Sequence, residues 1–144
     1  MSSEESRGDH LGPAIPAFLE RLGSHARLAL TPALRTWQES GGILKAAARG
    51  VALQTRWDDR PLTLVWLYGP NSTHPEPRIE VPLSTLARRL PDDLLNEFRD
   101  DLSTVRGMDL SAAGGSATVT VDDAFTNADA ARIVAIALDL AHRL

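Results

Sequence analysis

The residues whose types and spacing come nearest to a chemistry are three carboxylates, Asp58, Asp59 and Glu80, and one imidazole, His74. Carboxylates that converge can exchange protons or hold magnesium for hydrolysis, and a histidine beside a glutamate, as in Thr73-His74-Pro75-Glu76-Pro77, can share a divalent cation. These residues are therefore the candidate catalytic and metal-ligating set, and their chemistry requires that two separate loops meet. The alternative is plain: adjacent aspartates make turns, and a glutamate on the solvent side of a strand needs no further reason. The four histidines, at positions 10, 25, 74 and 142, show no helical two-ligand spacing. No serine lies in a Gly-x-Ser-x-Gly elbow, and neither glycine pair follows a strand, opens a helix and carries the lysine of a phosphate loop.

A second set is suited to binding. Trp57, Tyr68 and Arg56 place large aromatics with polar handles beside a guanidinium, a combination favoured at interfaces and ligand pockets. Ile136 and Leu138, near the C-terminus, belong to an apolar arc broad for a surface helix.

The element that positions most of these residues is the stretch Gly50 to Pro82. Val51, Leu53, Thr55 and Trp57 alternate with Ala52, Gln54 and Arg56; Leu62, Leu64, Trp66 and Tyr68 alternate with Thr63, Val65 and Leu67. That is the two-residue period of strands. A four-residue turn, Asp58-Asp59-Arg60-Pro61, then opposes Trp57 to Leu62, Leu53 to Trp66 and Val51 to Tyr68, with the large apolar side chains on one face. Gly69 to Pro77 is a loop. Arg78 to Val81 forms a third strand with Ile79 and Val81 inward and Arg78 and Glu80 outward.

Around this core the pattern is helical. Ile15, Phe18, Leu19, Leu22 and Ala26 share a face, and Thr31-Pro32 carries the signature of a helix start. The helix it opens passes Trp37, meets Gly41-Gly42 and can resume over Ile43 to Ala48, with Gly50 as its stop. Ser84 can cap a short helix. Pro91 with Asp92 and Asp93 opens a longer one bearing Leu94, Phe98, Leu102 and Val105 on one stripe. Ser111 to Ser116 reads as a flexible connection, Ala117 to Val121 as a fourth strand, and Asp123 or Asn127 as the cap of the last helix. The expected fold class is α+β, a small mostly antiparallel sheet of about four strands with helices on one face, in the order ααβββααβα.

Composition narrows the function. At 144 residues the chain suits one α+β domain over 13–144, preceded by a polar tail over 1–12 with too little apolar content to order itself. The absence of cysteine excludes disulfides and thiolate chemistry, and the polar first residues lack the core of a secretory signal, which predicts a cytoplasmic protein. No apolar run is long enough to span a bilayer. A formal charge of −4, with scattered basic residues, disfavours nucleic acid as a partner. Abundant alanine and arginine with a single lysine suggest bacterial coding bias. The expectation is thus a non-catalytic protein-interaction module of a bacterial cytoplasmic system, an accessory protein or homodimer. It would act on another protein or a second copy through the apolar hairpin or the C-terminal helix, without a cofactor. Two alternatives stand beside it: a small metal-assisted hydrolase or nuclease using the loop carboxylates, and a small-ligand domain in which Arg56 meets an anion.

Overall fold

The computed structural model describes residues 14–112 and 115–144. The expected tail over 1–12 lies outside the described residues, as do two residues of the expected connection before the last strand. The described elements are α1 (Ala14–Glu20), α2 (Ser24–Glu39), β1 (Ile43–Ala47), β2 (Gly50–Trp57), β3 (Arg60–Tyr68), β4 (Arg78–Val81), α3 (Leu83–Ala87), α4 (Asp92–Leu102), β5 (Asp109–Ala112), β6 (Ser116–Thr120) and α5 (Asn127–Arg143). The class is α+β. All strands join one antiparallel sheet in the order β1-β2-β3-β4-β6-β5. The sheet has six strands rather than about four. Among the described residues no helix is long and apolar enough to cross a membrane.

The inner face carries Val51, Leu53, Val65, Leu67, Ile79, Val81, Ala117 and Val119, each at most 4% exposed, and the helices close over it. Residues opposed in neighbouring strands share a face, so the row Val51, Leu67, Ile79 and Val119 runs from β2 to β6 across the sheet. Two helices dominate the cover. In α2 Ala26, Ala29, Leu30, Ala33, Leu34 and Trp37 form one buried stripe, and in α5 Ala130, Ile133, Val134, Ile136, Ala137 and Leu140 form another.

Pro32 lies inside α2, so Thr31-Pro32 does not start a helix as expected. Proline removes a hydrogen bond there, but Thr31 Oγ1 bonds back to the Arg27 carbonyl at 2.7 Å and Pro32 itself is exposed. Burial of an unbroken stripe on the other side of the helix outweighs that loss. The break falls at Gly23 instead. At its far end α2 is stopped by Gly41, whose φ of +96° favours glycine. Gly42 lies so close to the Trp37 indole that a Cβ there would come within 2.3 Å of Nε1.

Ile43–Ala47, expected to resume the helix, is the edge strand β1, and Gly50 is the first residue of β2. A helix-compatible sequence was overridden by the unpaired edge of β2: β1 pairs with it from Ile43↔Gln54 to Ala47↔Gly50, and Trp37 Nε1 donates to the Ile43 carbonyl at 2.9 Å. Part of the expected flexible connection, Ser111 and Ala112, likewise belongs to strand β5.

The hairpin is present with a different register. Its turn is two residues, Asp58 and Asp59, with φ of 58° and 62°, which opposes Trp57 to Arg60 and Thr55 to Leu62. Left-handed conformation at both central residues gives the turn whose twist suits a hairpin. A bulge then intervenes: Gln54 opposes Thr63 but Leu53 opposes Val65, so Leu64 is the extra residue. Leu62 and Leu64 point inward before it, Val65 and Leu67 after it. Trp66 and Tyr68 are thereby turned to the outer face, correcting the expectation that they share the side of Leu53 and Leu64.

The last helix is capped by Thr126, not Asp123 or Asn127. Its hydroxyl accepts from the Asp129 amide at 3.2 Å while Asp129 Oδ2 accepts from the Thr126 amide at 2.9 Å. The same oxygen, Asp129 Oδ2, is further held by Arg106 at 2.7 Å.

Candidate functional site

Helices cover one side of the sheet, so a surface built on strands must lie on the other. Register assigns that outer face directly. One row runs Lys45, Ala52, Trp66, Glu80 and Thr118, and the next runs Gly50, Tyr68, Arg78 and Thr120. Nearer the turn, Gln54 Nε2 donates to Thr63 Oγ1 at 2.9 Å. Apart from the buried Ala52 and Gly50, these residues are part-exposed or exposed.

At the centre of the face Trp66 and Tyr68 stack, with ring centroids 5.6 Å apart and planes 10° from parallel. Spacing of two on one strand puts both rings on the same side. The Arg78 guanidinium then lies 4.8 Å from the Tyr68 ring centroid on its far neighbour β4, a cation–π contact. Opposite Trp66, Glu80 Oε2 accepts from the hydroxyl of the buried Ser116 at 2.6 Å. Partial burial and the Glu80 carboxylate push the Tyr68 phenol above its ordinary value, against the opposing pull of Arg78 and Arg49. Tyr68 is a protonated donor at neutral pH.

Where this face meets α1, a cleft of about 620 Å³ opens, lined among others by Phe18, Arg21, Arg49, Tyr68, Arg78 and Glu80. The Arg21 guanidinium rests over the Phe18 ring at 5.9 Å, so two of the three arginines lie on aromatics. Arg78 Nη1 is buried with no hydrogen-bond partner. Buried donors are nearly always paired, which makes this one a feature in need of a reason.

The sequence-derived carboxylate set does not converge. Asp58 and Asp59 form the hairpin turn, while Glu80 opposes Trp66, which stands six residues beyond Arg60. At roughly 3.3 Å per residue that separation is ~20 Å. His74 lies in the loop at the other end of β3; Asn71 Oδ1 accepts from the His74 and Thr73 amides at 2.7 and 2.8 Å, which explains the loop as a turn. Among the described residues no group of three or more histidine, aspartate and glutamate side chains is placed to hold a metal ion.

The binding candidates separate. Trp57 is part-buried against the core, and its Nε1 donates to the Arg89 carbonyl at 3.3 Å. Arg89 reciprocates, with Nη2 to the Trp57 carbonyl and Nη1 to the Pro61 carbonyl at 3.2 and 3.1 Å. This clamp ties the hairpin end to the segment after α3. Arg56 is exposed and opposes Pro61 near the turn, away from the cleft. Ile136 is 4% exposed and Leu138 is part-buried against the core, so the broad arc of the last helix is covered by this chain's own elements. Tyr68 alone of that set stands in the cleft. Trp66, Arg78 and Arg49 were missed; the run Leu64-Val65-Trp66-Leu67 conceals the bulge that exposes the first, and nothing in the sequence brings the two arginines to Tyr68.

No family model matches the chain, and no curated protein or solved structure matches it.

Proposed function

We propose that this protein is a non-catalytic interaction module whose recognition surface is the outer face of the β2–β3 hairpin, continued onto β4. The observation that carries this reading is the Trp66–Tyr68 stack, left part-exposed on the side of the sheet away from the core. Rigid aromatics with a polar handle give large contact area at small entropic cost, and with an arginine beside them they are the residues on which interfaces depend most. Of the two surfaces considered from sequence, the hairpin is supported and the last helix is not, because Ile136 is spent on the core. The partner in this reading is another protein or a second copy of the chain. A second reading, a small-ligand domain, draws on the arginine-lined cleft at the end of the same face.

The test is retention. Full-length protein is immobilised, exposed to extract of its own cells, and compared with the double variant Trp66→Ala/Tyr68→Ala and with Leu138→Asp, while the mass of each in solution is measured by light scattering. The expected result is that bound material or self-association disappears in the double variant and persists in a folded Leu138→Asp. An unchanged retained set and unchanged mass in the double variant would overturn the reading.

A further inference from the structure

Arg78 holds a charged donor, Nη1, out of water and without a partner. Such a donor is destabilising unless something outside the chain engages it. Three features around it restrict what that is. Arg21 and Arg49 line the same cleft, and among the described residues only one carboxylate, Glu80, does so, which leaves an excess of positive charge among them. Glu80 is itself engaged by the Ser116 hydroxyl at 2.6 Å, and it forms no ion pair with Arg78. The remaining wall is partly apolar, formed by Phe18, Leu22 and the ring of Tyr68.

We propose that the cleft binds a carboxylate carried on an apolar body, with the carboxylate accepting from Arg78 and the body lying against Phe18 and Tyr68. This rests on the outer face being the recognition surface, and it names the chemistry of the ligand there. A guanidinium presents parallel N–H groups that match the two oxygens of a carboxylate, and Arg78, stacked on Tyr68 at 4.8 Å, is pre-oriented for that contact. The protonated Tyr68 hydroxyl adds a neutral donor. Glu80 would repel a dianionic phosphate more than a monoanion, and the apolar wall gives a bare ion nothing to bury. The carboxylate belongs to a small organic acid or to the C-terminus of a peptide; both present the same group.

Calorimetry on the full chain decides it. The probes are 3-phenylpropanoate and its amide, an acetylated tripeptide ending in phenylalanine with its terminus free or amidated, and inorganic phosphate. Each free acid is expected to bind at least about tenfold more tightly than its amide, as loss of one charge-assisted hydrogen bond implies, and binding weakens as salt is raised. Arg78→Gln, checked for a cooperative melt, is expected to lose the same factor. Arg49→Gln, at an exposed position, is expected to weaken binding a few-fold. Tighter binding of the peptide assigns the carboxylate to a polypeptide terminus, and tighter binding of phenylpropanoate to a small acid. Equal binding of acid and amide, preference for phosphate, no binding at millimolar concentration, or an unchanged affinity in folded Arg78→Gln would each overturn the proposal. If the acids fail while Trp66→Ala/Tyr68→Ala still abolishes retention, the recognition face stands and the carboxylate does not.

Discussion

The two faces of β3 were made by the same backbone under opposite demands. Inward stand Leu62, Leu64, Val65 and Leu67, none more than 4% exposed; outward stand Thr63, Trp66 and Tyr68, all partly exposed. Each inner side chain contributes about 1.5–3 kcal/mol by leaving water, and the contacts that secure it are shared among helices and strands. Among the described residues the outer face has no such cover. Its two largest rings stack on each other, its arginine lies on one of them with a donor unspent, and its glutamate leans on a serine. The inner face is complete among the described residues, whereas the outer one keeps a stacked aromatic pair part-exposed and a buried donor unpaired, the groups on which the proposed recognition rests.

Substitutions on the two faces should therefore differ in both size and sign. The largest effect is expected on the inner side: Leu53→Ala, at a site 1% exposed, should cost ~2–5 kcal/mol in urea unfolding, and a loss below 1 kcal/mol would mean the helix-covered core is not where the register puts it. Next, Gly50→Ala should cost more than ~1 kcal/mol, since its Cβ would sit 2.0 Å from the Leu67 carbonyl oxygen and backbone cannot swing aside as a flexible side chain can; a neutral change would refute that close approach. At Arg78, on the outer face, the sign should reverse. Arg78→Met should raise stability by about 1 kcal/mol in the absence of ligand, because it removes a buried unpaired donor; a loss of similar size would show that the arginine serves the fold and not a ligand.

A smaller, pH-dependent effect sharpens the comparison at the end of α5. Partial burial favours a protonated Asp129, but Arg106 and the Thr126 amide and hydroxyl prevail and hold its carboxyl below the ordinary value. A depressed folded-state value means that the stabilisation is fully present above the unfolded value near 4 and is lost as pH falls through the lower, folded one. Asp129→Asn should cost ~1 kcal/mol at pH 7, as loss of a capping partner does, and flatten the fall in Tm as pH drops below about 4. An acid limb identical to wild type would remove Asp129 from that account.

Much of this architecture was legible because period and punctuation agree in it. The alternation from Val51 to Trp57, the inward pair Ile79 and Val81, and the buried Phe98 and Leu102 of α4 all stand where the pattern places them, while Val105 is buried just beyond the helix end. Misreadings fell where the pattern supports two answers. Leu64-Val65-Trp66-Leu67 is apolar throughout, so it alternates equally well on either side of a bulge, and Asp58-Asp59 lacks the glycine that advertises a two-residue turn. Ile43–Ala47 has good helix formers and became a strand because β2 offered it a ladder.

From the sequence by itself came the α+β class, the inward residues of most strands, and the positions of the buried helical stripes, because burial demands a period and a period is local. Tertiary structure alone decided that Trp66 and Tyr68 face outward, that Asp58 and Glu80 stand apart, and that Arg21, Arg49 and Arg78 share a cleft. Those outcomes depend on register and on pairing between segments far apart along the chain, and a one-residue shift in either exchanges the two faces of the sheet.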